Sequence, residues 1–342
     1  MMKILYGIQT TGNGHLTRAK EVISILNKRA EVDVILSGPK TNKISLNHPI
    51  KHHYRGLTFF YTKKGEIHWL KTLFKNNFFK LFIDIFHCPL DSYDLILNDF
   101  EPVTAWSCYL KNKKCVALSN QYSLFSDKGP KLKKRFQTTL KMLRYFAPAT
   151  YGYGLHFKKF DDNIFLPIIR KKIRKVKVSD MGYFLVYLPS YGIEEIKNVL
   201  ITFPNSNWVV FSPEIEKSEL ENNIQWEPIN ETTFLKNIAS CRGVVTSAGF
   251  STLSEAMYLK KPILTTPIAS QIEQAYNAEM IREMGGKVIK KFSVKHKKEI
   301  QKWILDPKVI AVELEQKNYE VVDRILLDYI KSLLNLDQVR LN

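Results

Sequence analysis

Twice in this 342-residue chain, short apolar runs alternate with segments whose apolar positions recur at helical spacing, and a basic stretch containing proline separates the two series. In the first series, strands are expected at Lys3 to Ile8, Glu31 to Leu36, Leu57 to Tyr61, Leu95 to Asn98 and Cys115 to Ser119. Helices are expected between them at His15 to Asn27, Trp69 to Phe86, Pro102 to Tyr109 and Leu132 to Tyr145. The second series places strands at Tyr183 to Leu188, Trp208 to Phe211, Gly243 to Thr246 and Pro262 to Thr266. Its helices are Ile193 to Ile201, Thr233 to Ala239, Phe250 to Tyr258 and Ile272 to Met284, with two more closing the chain. Such alternation predicts parallel sheets covered on both faces. Between the series, Leu166 to Ser179 has no useful apolar face and reads as a linker. The expectation is an α/β protein of two Rossmann-like domains facing a cleft: residues 1–168 and 182–342, joined by 169–181. The last helix is free to pack back on the first domain.

Composition narrows the class. At 45% hydrophobic and 25% charged residues, the chain has an ordinary globular balance, and disorder is excluded as the default. A net charge of +18 favours phosphates, nucleic acid or an acidic membrane leaflet as partners, or reflects a lysine-rich surface. The four cysteines form no CxxC pair and have no metal-ligand spacing with histidine, so thiols in a reducing compartment are expected. The apolar run in MMKILYGIQ is too short for a signal peptide, and no stretch approaches the roughly 20 apolar residues of a membrane span. A cytoplasmic protein, soluble or peripheral, is the expectation.

The most informative stretch is TSAGFSTLSEAMYLKKPILTTPIASQIEQAYNA, residues 246–278. A strand ends at Thr246, Ser247 to Gly249 turn the chain, and a helix starts at Phe250. The free N–H groups and dipole of that start form an anion site, which the Ser251 and Thr252 hydroxyls can extend. One turn on, Glu255 either accepts from ribose hydroxyls or is a solvated helix residue. The loop containing Gln271, Glu273 and Gln274 follows another strand end, the edge where open α/β sheets bind ligands. Glu273 and Gln274 are candidates for sugar hydroxyls.

This block resembles the donor-binding region of GT-B glycosyltransferases, the group that includes the MurG-type N-acetylglucosaminyltransferases and the UDP-dependent glucuronosyl- and glucosyltransferases. Gly249, Ser251, Glu255, Pro262, Glu273, Gln274, Asn277 and Ala278 match in order. Ala248 departs, since plant-type enzymes carry a histidine there, which favours the bacterial branch. The resemblance implies a nucleotide-sugar donor, UDP-linked as the first expectation, and direct inverting displacement without a metal or other cofactor. It also suggests a base pocket read by backbone atoms near Phe211 and Ile224 to Glu227, with Phe211 and Trp226 as the candidate positions.

In the first domain, GNGH after the first strand is weak evidence alone, because Gly12 and Gly14 suit any tight strand-to-helix turn. MurG-type enzymes have a similar loop ending Gly-His, and the resemblance implies that His15 is the base deprotonating the acceptor hydroxyl. An imidazole titrating near neutrality suits that work. Asp99 is the candidate to orient it or simply caps the next helix, and Glu101 is a rival base. Arg18, Asn120 and Gln121 are candidates for the acceptor side. No Asp-x-Asp occurs in the chain.

Lys71 to Phe86 and Lys131 to Phe146 gather aromatic residues beside lysines. Such helices either pack on the sheet or lie on an anionic membrane holding a lipid-linked or cell-envelope glycan acceptor. Two other functions compete. A non-hydrolysing nucleotide-sugar epimerase has the same fold but wants several carboxylates near the sugar. A nucleic-acid binder rests on charge alone and has no recognised motif here.

Overall fold

The computed structural model describes residues 1–39, 46–58, 60, 72, 74–268, 270–314 and 317–340, leaving aside the side chains of 13 and 334–340. The first half runs β1 (Lys3–Gln9), α1 (Asn13–Leu26), β2 (Glu31–Ser37), β3 (Ile50–Tyr54), α2 (Phe78–His87), β4 (Leu95–Asp99) and α3 (Pro102–Leu110). It continues through β5 (Cys115–Ser119), α4 (Gln137–Phe146), β6 (Tyr151–Leu155) and β7 (Ile164–Phe165). Among the described residues these strands pair in parallel in the order β3-β2-β1-β4-β5-β6-β7. β4 and β5 are buried along their whole length, which is why they read as unbroken apolar runs.

A short helix α5 (Lys171–Lys175) leads into the second half. There β8 (Tyr183–Tyr187), α6 (Ile193–Leu200), β9 (Asn207–Ser212), β10 (Glu219–Glu221), β11 (Ile224–Pro228) and α7 (Glu231–Ser240) come first. Then follow β12 (Gly243–Ser247), α8 (Phe250–Tyr258), β13 (Ile263–Thr266), α9 (Ile272–Glu283), β14 (Lys287–Val288), α10 (Lys297–Leu305) and α11 (Tyr319–Arg340). The order is β10-β11-β9-β8-β12-β13-β14, and the β10–β11 pair is antiparallel while the others are parallel. Both sheets therefore reverse their winding beside their first strand, between β1 and β4 and between β8 and β12. Ligand crevices open at such points, beyond the strand C-termini.

Several expectations shift. The third strand is Ile50–Tyr54, an exposed polar edge, instead of 57–61, of which residues 59 and 61 lie outside the described residues. Of the helix expected over 69–86, residues 69, 70, 71 and 73 lie outside them. What is described breaks at Asn77, whose side chain accepts from the Lys80 N–H and starts α2. The helix expected at 132–145 is a short 3-10 turn, Lys134–Phe136, followed by α4. The linker is partly helical, with Ile173 of α5 buried.

The largest core is continuous through both halves, joining Leu16, Val22 and Ile23 of α1 to Leu253 and Met257 of α8 and to Val321 and Ile325 of α11. The final helix lies against the first half. Arg29 pairs with Asp323 at 2.7 Å, and the Tyr153 hydroxyl donates to Asp328 at 2.7 Å.

His156 sits at the junction, fully buried among Phe157, Phe160, Phe250 and Tyr276. Its Nε2 lies 3.3 Å from Asn277 Oδ1, and its Nδ1 has no partner among the described residues. Burial pushes its pKa down to about 3, against the weaker opposing pull of Asn277. Below pH 6.5 the unfolded chain takes up a proton that the folded protein refuses until about pH 3. This contribution to stability is complete above pH 6.5 and is lost as pH falls, by about 1.4 kcal/mol per unit. Urea unfolding at pH 7.0 and 5.5 should show wild type losing about 1.3 kcal/mol more than His156→Gln. Parallel losses would contradict this assignment.

Candidate functional site

The loop after β1 turns at Gly12, whose φ of +89° lies in the left-handed region, and α1 begins without a side-chain cap. His15 stands in the first turn and Arg18 three residues on, so both side chains share one face of the helix. Opposite them, β4 ends on Asp99. His15 Nδ1 lies 2.8 Å from Asp99 Oδ1. Arg18 Nη2 also lies 3.1 Å from Nδ1. A carboxylate only accepts, so in the neutral tautomer that bonds Asp99 the proton is on Nδ1 and Nε2 is the accepting nitrogen. Arg18 grips the same carboxylate twice, Nε donating to Oδ2 at 3.0 Å and Nη2 to Oδ1. The Tyr6 hydroxyl stands 3.5 Å from Oδ2.

His15, Arg18 and Asp99 are all buried. Burial alone would push the Asp99 carboxyl up, but the Arg18 guanidinium and the His15 ring hold it below the usual carboxylate range. Burial works against the charge on Arg18 too, and Asp99 overcomes it, raising the guanidinium pKa. Burial and the Asp99 charge push the Tyr6 phenol well above its ordinary value.

Glu101 is not brought to His15. Its carboxylate caps α3, accepting from the Val103 and Thr104 N–H groups at 2.6 and 2.7 Å and from the Ser37 and Thr104 hydroxyls. It has no exposed surface, and burial raises its pKa against those hydrogen bonds. That geometry corrects the reading of Glu101 as a rival base: it is a helix cap.

At the end of β5, Asn120 Oδ1 accepts from Arg18 Nη1 at 2.9 Å. Its Nδ2 donates across the cleft to Glu273 Oε1 at 2.8 Å, and Gln121 Nε2 donates to Glu273 Oε2 at 2.9 Å. Arg18, Asn120 and Gln121, expected to line an acceptor surface, thus bind protein groups. Two buried atoms here, Thr11 Oγ1 and Gln121 Oε1, have no partner among the described residues.

The second half contributes α8. Gly249 precedes it, no side chain caps it, and no acidic residue occupies its first turn. The first bond within the helix is Leu253 N–H to Gly249 O, so the N–H groups of Phe250, Ser251 and Thr252 precede the helical ladder. Ser251 and Thr252 are partly exposed, Ser247 is buried, and the Phe250 ring stacks on Phe157 at 5.1 Å. A Cβ on Gly14 would lie 3.1 Å from Ser251 Oγ, so the two uncapped helix starts approach each other. Gln271 is the N-cap residue of α9, and Gln274 Oε1 accepts from the Ile268 N–H at 3.0 Å.

Glu255 is buried with both oxygens engaged by Arg170, through Nε and through Nη2 at 2.8 Å, while Arg170 also meets Glu231 at 2.9 Å. Burial raises the Glu255 pKa despite Arg170. It is not a solvated helix residue. Sequence reasoning missed Arg170, whose place in a basic run gave no sign of a partner 85 residues away. The rings of Phe211 and Trp226 belong to the core, so only backbone atoms at these positions are left to meet a base. Both are fully buried, Phe211 against Phe234 and Trp226 on the buried face of β11 among Val210, Ile224 and Trp208. Among the described residues no group of three or more His, Cys, Asp or Glu is arranged to hold a metal ion.

Residues 2–306 match the model of glycosyl transferase family 1. No curated protein matches the chain. Among solved structures, Arabidopsis thaliana UGT89C1 complexed with UDP-L-rhamnose is similar with a TM-score of 0.61 at 13% identity, over 96% of this chain and 98% of that one. A putative UDP-N-acetylglucosamine 2-epimerase from Listeria monocytogenes gives 0.58 at 11%, over 95% and 94%. The glycosyltransferase SnogD from Streptomyces nogalater gives 0.52 at 10%, over 95% and 99%. At these identities the likeness carries the fold, which is GT-B, with two Rossmann-like domains. The match over most of the sequence shows the family: the chain is a glycosyltransferase and belongs to glycosyl transferase family 1.

Proposed function

We propose that the protein transfers a sugar from a UDP-sugar to an acceptor hydroxyl on a lipid-linked or cell-envelope glycan, by metal-independent inverting displacement. The observation that carries this reading is the approach of the Gly14 loop to Ser251, which sets the His15–Asp99 pair beside the uncapped start of α8. His15 Nε2 takes the acceptor proton as the hydroxyl oxygen attacks the anomeric carbon. The bond to UDP breaks with its electron pair leaving on the diphosphate, whose charge the α8 N–H groups and dipole stabilise. Glu273 and Gln274 receive donor sugar hydroxyls. Glu255 receives the ribose hydroxyls, and Arg170 holds that carboxylate in the free protein. Thr11 Oγ1 and Gln121 Oε1 are available to substrate hydroxyls.

The test offers UDP-glucose, UDP-galactose and UDP-N-acetylglucosamine with and without polyprenyl-linked glycans, in EDTA. UDP release that requires an acceptor supports transfer. Acceptor-free formation of an epimeric UDP-sugar overturns it in favour of the epimerase.

No helix among the described residues is long and apolar enough to cross a membrane. Contact with a membrane from the cytoplasmic side is proposed for α2. Leu81 and Ile85 face the core, while Phe79 is 78%, Phe82 58% and Phe86 49% exposed, beside Lys80. An exposed aromatic face flanked by a lysine, here Lys80 paired with Asp84 at 3.7 Å, suits an anionic bilayer. Sedimentation with phosphatidylglycerol-containing vesicles should capture wild type and release the Phe79→Glu/Phe82→Glu/Phe86→Glu variant. Equal capture of both would contradict this docking face.

A further inference from the structure

Between the acceptor base and the donor loop runs an unbroken hydrogen-bonded chain: His15 to Asp99, Asp99 to Arg18, Arg18 to Asn120, Asn120 to Glu273. It crosses from one half to the other, and each link is 2.8–3.0 Å. The chemistry of the partners fixes the direction of the Asn120 amide. A guanidinium only donates, so it requires the amide oxygen, and a carboxylate only accepts, so it requires the NH2. Flipping the amide would set donor against donor and acceptor against acceptor. Gln121 is fixed in the same way, its NH2 held by the second Glu273 oxygen.

We propose that Asn120 is a positioning residue that makes the base geometry depend on the donor loop. The inference rests on the reading of His15 as base and Glu273 as a sugar-binding carboxylate. Each Glu273 oxygen accepts one amide N–H and keeps a second lone pair for a donor hydroxyl, so the sugar need not displace Asn120. The same amide holds Arg18, which holds the carboxylate that orients the His15 ring. When α9 carries Glu273 into place, the Asn120 amide is held at both ends, and the Arg18–Asp99 pair is braced through it. With α9 displaced, Arg18 keeps Asp99 but loses the tether to the other half. Acceptor activation is thereby confined to the state in which the donor loop is seated.

The experiment is a double-mutant cycle on turnover, read with the UDP-hexose and polyprenyl-linked acceptor that wild type uses, beside calorimetric UDP affinity. Asn120→Ala should lower kcat by about 10-fold or more and change UDP affinity by less than about twofold, a split that general loosening of the fold would not give. Asn120→Asp sets a carboxylate against Glu273. Adding Glu273→Gln restores every donor–acceptor pairing, since the new amide donates to the new carboxylate and its oxygen accepts from Gln121. Asn120→Asp should therefore cost at least about 10-fold more in the wild-type background than in the Glu273→Gln background. Equal cost in both backgrounds, or Asn120→Ala turning over within twofold of wild type, overturns the coupling while leaving the glycosyltransferase reading intact. A wild type that neither binds UDP nor releases it from any of the donors overturns that reading, and the coupling with it.

Discussion

His15→Ala is expected to lower kcat by about 10²–10⁴-fold, the usual contribution of a positioned general base, while UDP affinity stays within about twofold. The division follows from where the ring sits. His15 lies in the first half, with its Nδ1 facing Asp99, whereas the groups assigned to the diphosphate belong to α8 in the second half. Losing the imidazole removes an interaction that counts only as the acceptor proton is transferred. Steady-state turnover and UDP calorimetry on one preparation separate the two effects. A His15→Ala protein that turns over normally would remove the base from the account, and an equal loss in affinity would place the ring on the donor instead.

Asp99→Ala should affect both stability and turnover. It strands the Arg18 guanidinium, which is 6% exposed, with its main counter-charge gone. Breaking a buried pair by removing one partner costs about 3–5 kcal/mol. For a chain of this length that is a melting temperature lower by about 4–7 °C. Turnover should fall by about 10²-fold or more, because the ring loses the group that fixes its tautomer and direction. Asp99→Asn keeps the volume but loses the counter-charge and sets its NH2 against an Arg18 or His15 donor, so it should recover little of either the stability or the turnover. Scanning calorimetry beside kinetics reads both. Equal stability of the Ala variant and wild type would mean that Arg18 finds another partner, and the ion pair is not what holds this site together.

The parts of the fold that were legible in the sequence are those where burial on both faces writes a plain signal. β4 and β5 read as apolar runs because both are covered, and α8 announced itself through SAGF, a small-residue turn before an apolar helix. β6 was not legible: its sequence, YGYGL, has two glycines, and strand preference is low there. β3, IKHHY, is an exposed edge and shows no alternation of apolar with polar residues. At the site, the resemblance named His15 and Asp99 as partners, and the end of a buried strand set Asp99 at the cleft edge. Glu101 and Asp99 could not be separated in sequence, being two residues apart at one strand end; only the hydrogen bonds to Val103 and Thr104 show which one caps the helix. The Arg18–Asn120–Glu273 and Arg170–Glu255 links join residues 85 to 153 positions apart, and no local pattern encodes such pairings. The rings of Phe211 and Trp226 are core, a placement that the resemblance, which concerned backbone atoms near them, did not address.

The most direct test of the central claim, that α8 and Glu255 form a nucleotide-sugar site, is calorimetric titration of wild type and Glu255→Ala with UDP, GDP and dTDP, with a non-specific DNA duplex as control. The account predicts saturable binding of UDP in preference to the others, weakened about 10–100-fold by the substitution, as expected for loss of hydrogen bonds to a charged group. Binding of the duplex with no response to any nucleoside diphosphate would contradict it, and would return the +18 charge to the centre of the question.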